Sequence, residues 1–118
     1  MCAISKHMKR RDYLTDFEQL VMLAVLQLGD EAYGAPIRAA LEEQAGRVVS
    51  IATIYVALSR LEEQDLVRSW FAEPTAVRGG RSKRLYAVTE LGVEALERAR
   101  DHFDRMWDGA REAMRRES

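Results

Sequence analysis

Cysteine is almost missing from this chain. Cys2 stands alone, so no internal disulfide can staple the fold, and such sparing use fits a reducing cytosol. Histidine is nearly as scarce: His7 and His102 are the whole supply, and neither with each other nor with Cys2 do they give the spacing of a zinc site. No metal and no cofactor is expected. Long apolar runs are lacking too, the longest being Leu20 to Leu26, well below the ~18 residues that a membrane span requires. The opening MCAISKHMKRRDYL carries basic residues with no apolar stretch behind them, so residues 1–13 read as a basic N-terminal arm and not as a secretory signal. These absences lead us to expect a cytoplasmic protein without membrane contact. Excess charge is the last thing missing. With 18 Lys and Arg against 19 Asp and Glu the formal net charge is −1, so any affinity for a polyanion has to come from a local patch.

Such a patch exists. Between Arg68 and Arg84 stand Arg68, Arg78, Arg81, Lys83 and Arg84, opposed by Glu73 alone. Val67 to Phe71 and Leu85 to Val88 have β-branched and aromatic content at strand spacing, and Pro74 with Gly79-Gly80 places the break between them in a turn. A hairpin with a basic tip is the simple solution. Gly79 and Gly80 remove bulk beside Arg81, which could enter a narrow minor groove while Lys83 and Arg84 approach phosphates and Arg78 adds to the same tip. Taken alone, the segment reads equally well as a solvated basic loop.

What precedes it favours DNA. Ser50 can cap a helix in which Ile51, Ile54, Leu58 and Leu61 fall at the three-and-four spacing of one buried face. The opposite face then presents Ala52, Val56, Ser59 and Glu63, flanked by Thr53, Tyr55 and Arg60. Small, hydroxylated and modestly basic, that surface suits close approach to base edges and phosphates, although an ordinary solvated face would look similar. A recognition-type helix, a strand, a basic tip, a strand and a new helix make the order of a winged helix-turn-helix.

Three strings carry a resemblance to a known family. GGRSKRLYAVTELGVEAL resembles the signature of the PadR-type winged-helix transcriptional regulators, in which a Gly-Gly-Arg wing leads to a Tyr-bearing strand and a Thr-x-x-Gly helix start. AYGAPI (Ala32 to Ile37) and TIYVALSRLEEQDLV (Thr53 to Val67) match in order and spacing. The likeness runs from about Leu14 to Met114. One departure is Gln64-Asp65, where many members carry an acidic-Gly pair. The resemblance implies a dimeric repressor whose short form ends in one long helix, with the helix near Ser50 in the major groove. Thr53 and Tyr55 would be its conspicuous DNA-facing positions, and Arg81 with its basic neighbours, including Arg78, Gly80, Lys83 and Arg84, its wing.

The rest of the chain fits around these elements. Thr15 followed by Glu18 is a capping-box pattern, and Phe17, Leu20, Val21, Ala24 and Leu28 mark the inner face of the first helix. Met22, Leu23, Val25 and Leu26 make its other side apolar as well. Cover by the C-terminal helix of this chain or of a dimer partner is one explanation, and a crowded internal core is the other. A second helix from about Ala35 to Gln44 turns Ile37, Ala40 and Leu41 inward and stops at Gly46. Arg38 and Arg47 are further phosphate candidates. After Thr89, the spacing places Leu96, Ala99, Phe103, Met106, Ala110 and Ala113 at alternating three and four residues, the seam of one helix on another. Together with Trp107, these residues are the expected dimer interface, and Gly109, which costs the helix roughly 1 kcal/mol relative to Ala, leaves room for some fraying or a bend near its end. Some relatives in the resembling family sense planar, aromatic or cationic compounds between subunits, which makes Phe103 and Trp107 effector candidates. Their alternative role is as packing anchors. Trp70 is expected to pack the wing strand onto the helices.

No catalytic residue stands out. Gly79-Gly80 lacks the strand, loop and Lys-Ser/Thr ending of a phosphate-binding loop, and Ser82 has no neighbouring base. The fold expected is mainly α with a small β-hairpin: a winged helix-turn-helix domain at 14–88 and a long C-terminal dimerisation helix at 89–118. The function expected is a homodimeric repressor of double-stranded DNA with an inverted-repeat operator. The alternative is a winged-helix protein-interaction module without specific DNA binding.

Overall fold

The chain enters its first helix through a reciprocal cap. Glu18 N–H donates to Thr15 Oγ1 at 3.1 Å, and Thr15 N–H donates to Glu18 Oε1 at 2.9 Å, which satisfies two backbone donors at the open end of the helix. The computed structural model describes residues 14–73 and 83–117, in the order α1 (Asp16–Leu28), a 3₁₀ turn (Gly29–Glu31), α2 (Gly34–Ala45), α3 (Ile51–Glu63), β1 (Val67–Phe71), β2 (Arg84–Val88) and α4 (Glu90–Glu117). The expected arm at 1–13 and the wing residues Arg78, Gly79, Gly80 and Arg81 lie outside the described residues.

Each helix stops where its chemistry says. Gly46 adopts a left-handed conformation, φ 66°, and lets its own N–H and that of Arg47 return to the Glu42 and Leu41 carbonyls, the Gly46–Glu42 bond being the five-to-one closure of a left-handed glycine end. After α3 the left-handed residue is Asp65, φ 65°, the one non-glycine among the described residues with positive φ. This is where the resembling family has its glycine. Asp tolerates the region better than branched residues do, because its short polar side chain can bond locally.

The core gathers between α1, α2, α3 and the base of the hairpin. Val21, Met22, Ile37, Ile54, Leu58 and Leu61 are fully buried, each large side chain of this kind contributing roughly 1.5–3 kcal/mol over exposure. The inner face of α1 differs from the expectation. Met22 and Val25 belong to the core, whereas Phe17, Leu20 and Leu28 are only partly buried. The physical reason is that α1 packs on α2, α3 and β2 together, so more than one stripe of it is covered. Leu23 and Leu26 stay exposed.

β1 and β2 pair antiparallel from Val67↔Val88 to Phe71↔Arg84. The free edge of β2 is tied to the 3₁₀ turn by one bond, Tyr86 N–H donating to Ala32 O at 3.0 Å. Trp70 does not pack the sheet onto the helices as expected: it is exposed on β1, with the Arg68 guanidinium 4.8 Å from its ring centre. Val67 takes the inward position on this strand, and the period of two carries Trp70 outward.

α4 begins on the body and leaves it. Thr89 donates its hydroxyl to Asp65 O at 2.7 Å and accepts from Gly92 N–H at 3.0 Å, so one side chain both caps α4 and anchors it to the turn after α3. Gly92 and Leu96 are buried, but residues 100–112 are all exposed. The radius of gyration, 17.6 Å, exceeds the about 13.5 Å of a compact chain this long, as a protruding helix requires. The helix runs unbroken through Gly109 to Glu117.

Candidate nucleic-acid interface

α3 is fastened at its start by Ser50, whose Oγ accepts from Thr53 N–H at 3.1 Å and shares a 3.0 Å hydrogen bond with the Thr53 hydroxyl. With Ile54, Ala57, Leu58 and Leu61 buried, the helix turns Ala52, Thr53, Val56, Ser59, Arg60 and Glu63 to solvent. Val56 is 52% exposed. The outward surface is therefore the small, hydroxylated one read from the sequence.

Tyr55 occupies a different place from the rest. Its ring leans toward the hairpin, 6.3 Å from that of Tyr86 at an interplanar angle of 33°, and its hydroxyl crosses the start of α2. A β-carbon on Gly34 would lie 2.7 Å from that oxygen, so the first residue of α2 has no side chain because Tyr55 fills the space. Burial raises the Tyr86 hydroxyl above the ordinary phenol range, Tyr55 and Glu62 adding to the shift and Arg84 opposing it.

The root of the wing carries two cations on aromatic neighbours. Lys83 Nζ stands 4.3 Å from the centre of the Tyr33 ring, and the Arg84 guanidinium lies 5.3 Å from Phe71 and 6.0 Å from Tyr86. Arg84 also donates to Ser69 Oγ and reaches the Glu62 carboxylate. Between α3 and this root opens a hollow of about 480 Å³ lined by Tyr33, Tyr55, Ser59, Phe71, Lys83, Arg84 and Tyr86. Hydroxyls and an ammonium around a concave surface beside a recognition-type helix can receive a phosphate. Sequence reading misses Tyr33, Glu62, Ser69 and Phe71 here, since each meets its partner through pairing distant in the chain. Of the outlying candidates, Arg38 is exposed on α2, whereas Arg47 is held by Asp16.

The C-terminal candidates divide. Leu96 is buried in the core of the chain, and Ala99 is half-buried. Phe103, Met106 and Trp107 are 61%, 74% and 52% exposed, and Ala110 is exposed beside them. An apolar groove of about 850 Å³ runs between α1 and α4, bordered by Leu14, Leu23, Leu26, Val93, Leu96, Ala99 and Phe103. Trp107 is not part of that lining; Arg111 covers its ring at 5.4 Å. Among the described residues no helix is long and apolar enough to cross a membrane, and no group of His, Cys, Asp and Glu could hold a metal ion.

The pattern of the Transcriptional regulator PadR-like family matches residues 22–98. A PadR family transcription regulator from Clostridium difficile is similar over 83% of this chain and 98% of its own, with a TM-score of 0.66 and 23% identity. A PadR family transcriptional regulator from Eggerthella lenta is similar over 81% of each chain, with a TM-score of 0.63 and 27% identity. Bacillus subtilis PadR, solved in complex with operator DNA, is similar over 67% of this chain and 44% of its own, with a TM-score of 0.54 and 20% identity. No curated protein matches.

Proposed function

The chain belongs to the PadR-like family of transcriptional regulators and is a DNA-binding regulator, and from that premise we propose that it acts as a homodimeric repressor on an inverted-repeat operator. Ser50, Ala52, Thr53, Val56, Ser59 and Arg60 face the major groove, with Tyr55 and Lys83 beside them at the backbone and Arg78, Gly80 and Arg81 forming the wing. The observation that carries this reading is the hollow between α3 and the hairpin root, where Lys83, Tyr33 and Tyr55 border one concave surface alongside the exposed face of α3. The Bacillus subtilis relative bound to operator DNA supports the same use of the fold.

The dimer is formed by the projecting half of α4, through Phe103, Met106, Trp107 and Ala110, with the groove beside α1 receiving apolar side chains of the second copy. Two-fold symmetry then places the recognition helices about one helical turn apart on one side of the duplex. An effector that binds between the two α4 helices near Phe103 and Trp107 would release DNA if it favours a spacing unsuited to the operator.

The test is fluorescence anisotropy with a duplex enriched by the protein from a random-sequence pool and with its scrambled counterpart. A preference of about 10³ for the enriched duplex is expected, with Lys83→Ala weakening both and flattening the salt slope by about 0.9. Equal, weak binding to both would favour the protein-interaction alternative.

A further inference from the structure

Arg84 is turned toward its own protomer. Its Nε and Nη2 both donate to Ser69 Oγ, at 3.1 and 2.9 Å, and Nη2 reaches Glu62 Oε1 at 3.5 Å. Ser69 Oγ donates its one proton to the other carboxylate oxygen, Glu62 Oε2, at 2.9 Å. The proton inventory closes: the hydroxyl gives to the carboxylate and receives from the guanidinium. Phe71 and Tyr86 flank the cation with their rings. Three elements meet here, the last turn of α3 through Glu62, the middle of β1 through Ser69 and the first residue of β2 through Arg84.

We propose that Glu62, Ser69 and Arg84 form a positioning triad that sets the angle of the hairpin against α3, so that Arg84 serves DNA binding through this angle and not by touching a phosphate. The inference rests on the DNA-binding reading above. Two facts argue for it. A carboxylate near a polyanion-binding face repels the ligand, so the place of Glu62 is explained by the cation it holds. A two-stranded hairpin is marginal by itself, so bonds at its root decide where its tip points, even though a half-exposed ion pair adds little to global stability.

The two roles for Arg84 differ in sign. If Arg84 contacted a phosphate, Glu62→Gln would remove a nearby negative charge and tighten binding, Arg84→Lys would keep a point charge and bind nearly as well, and Arg84→Gln would flatten the salt slope by about 0.9. The triad requires the reverse. Glu62→Gln weakens binding roughly three- to tenfold despite the more favourable charge. Arg84→Lys fails to restore the wild-type level because an ammonium cannot fork onto Ser69 and Glu62 together. Arg84→Gln leaves the salt slope unchanged, and the double variant Glu62→Gln with Arg84→Gln is no weaker than Arg84→Gln alone.

The experiment is anisotropy titration of the full chain and these variants against the enriched and scrambled duplexes, at about 50 and 200 mM salt. Thermal melting by circular dichroism runs alongside, and Ser69→Ala serves as the mildest variant, expected to weaken DNA binding with little change in melting. Tighter or equal binding by Glu62→Gln, or recovery in Arg84→Lys, overturns the triad while the regulator reading stands. A wild-type protein that enriches no duplex overturns the regulator reading itself, and the role of the triad with it.

Discussion

Gly92 passes so close to Leu66 that a β-carbon on the glycine would lie 2.2 Å from the Leu66 carbonyl oxygen. Val88 Cγ1 and Met22 Cε would lie at 2.7 and 3.0 Å. A backbone oxygen cannot swing aside as a side chain can, so this contact fixes how α4 leaves the body. Gly92→Ala is expected to destabilise the protein by about 2–3 kcal/mol through overpacking. Gly109, on the same helix, has nothing within 4 Å of the place a β-carbon would take, and Gly109→Ala should stabilise by about 1 kcal/mol. Urea unfolding at one protein concentration checks both, and the opposite signs separate contact from helix propensity.

Asp65 gives a second stability test. Its φ of 65° puts a non-glycine residue in the left-handed region at the turn out of α3, and its carbonyl is the acceptor for the Thr89 hydroxyl. Asp65→Gly removes the steric cost while adding freedom to the unfolded chain, for a net gain of about 0.5 kcal/mol. Asp65→Val, branched at the β-carbon, is expected to lose about 2 kcal/mol. Reversible denaturation curves of the two variants decide it.

What can be read along the chain is what depends on near neighbours. The Thr15–Glu18 cap, the Gly46 stop, the Ser50 start and the Ile54, Leu58 and Leu61 face each need only a few consecutive residues, and each stands as expected. Met22 and Val25 escape such a reading because a helix covered from several sides has no single inner stripe. Gly34 and Gly92 are visible as motif letters, but their reasons lie in Tyr55 and in Leu66 with Val88. Along the sequence Arg84 is one more wing cation, since charge in a string does not disclose that Glu62 and Ser69 will hold it. The outward face of α3 follows from its buried face by periodicity alone.

Tyr86 makes a pH prediction. Burial raises its hydroxyl pKa, so the folded protein keeps the proton after an unfolded tyrosine, with a pKa of about 10, has lost it. Because the folded value is the higher one, stability from this group is fully present below the unfolded value and is lost as pH rises from about 10 through the folded value. Ultraviolet titration of the phenolate band should show a late-ionising step, and Tyr86→Phe should abolish it. A step that persists in Tyr86→Phe would assign it to another ring.

Met106 is the sharpest probe of the second copy. At 74% exposure, between Phe103 and Ala110 on the alternating three-and-four seam, it has no reason to be apolar unless another surface covers it. Met106→Glu should weaken self-association by about 2 kcal/mol or more, as removal of an anchor near the centre of an interface does. Asp108→Asn, two residues on and therefore roughly opposite on the helix, should leave association unchanged. Sedimentation equilibrium compares them, and a dimer undisturbed by Met106→Glu would remove α4 from the interface. If two helices read the operator at once, as proposed, the monomeric variant should also lose most of its preference for the enriched duplex while each α3 keeps its own fold.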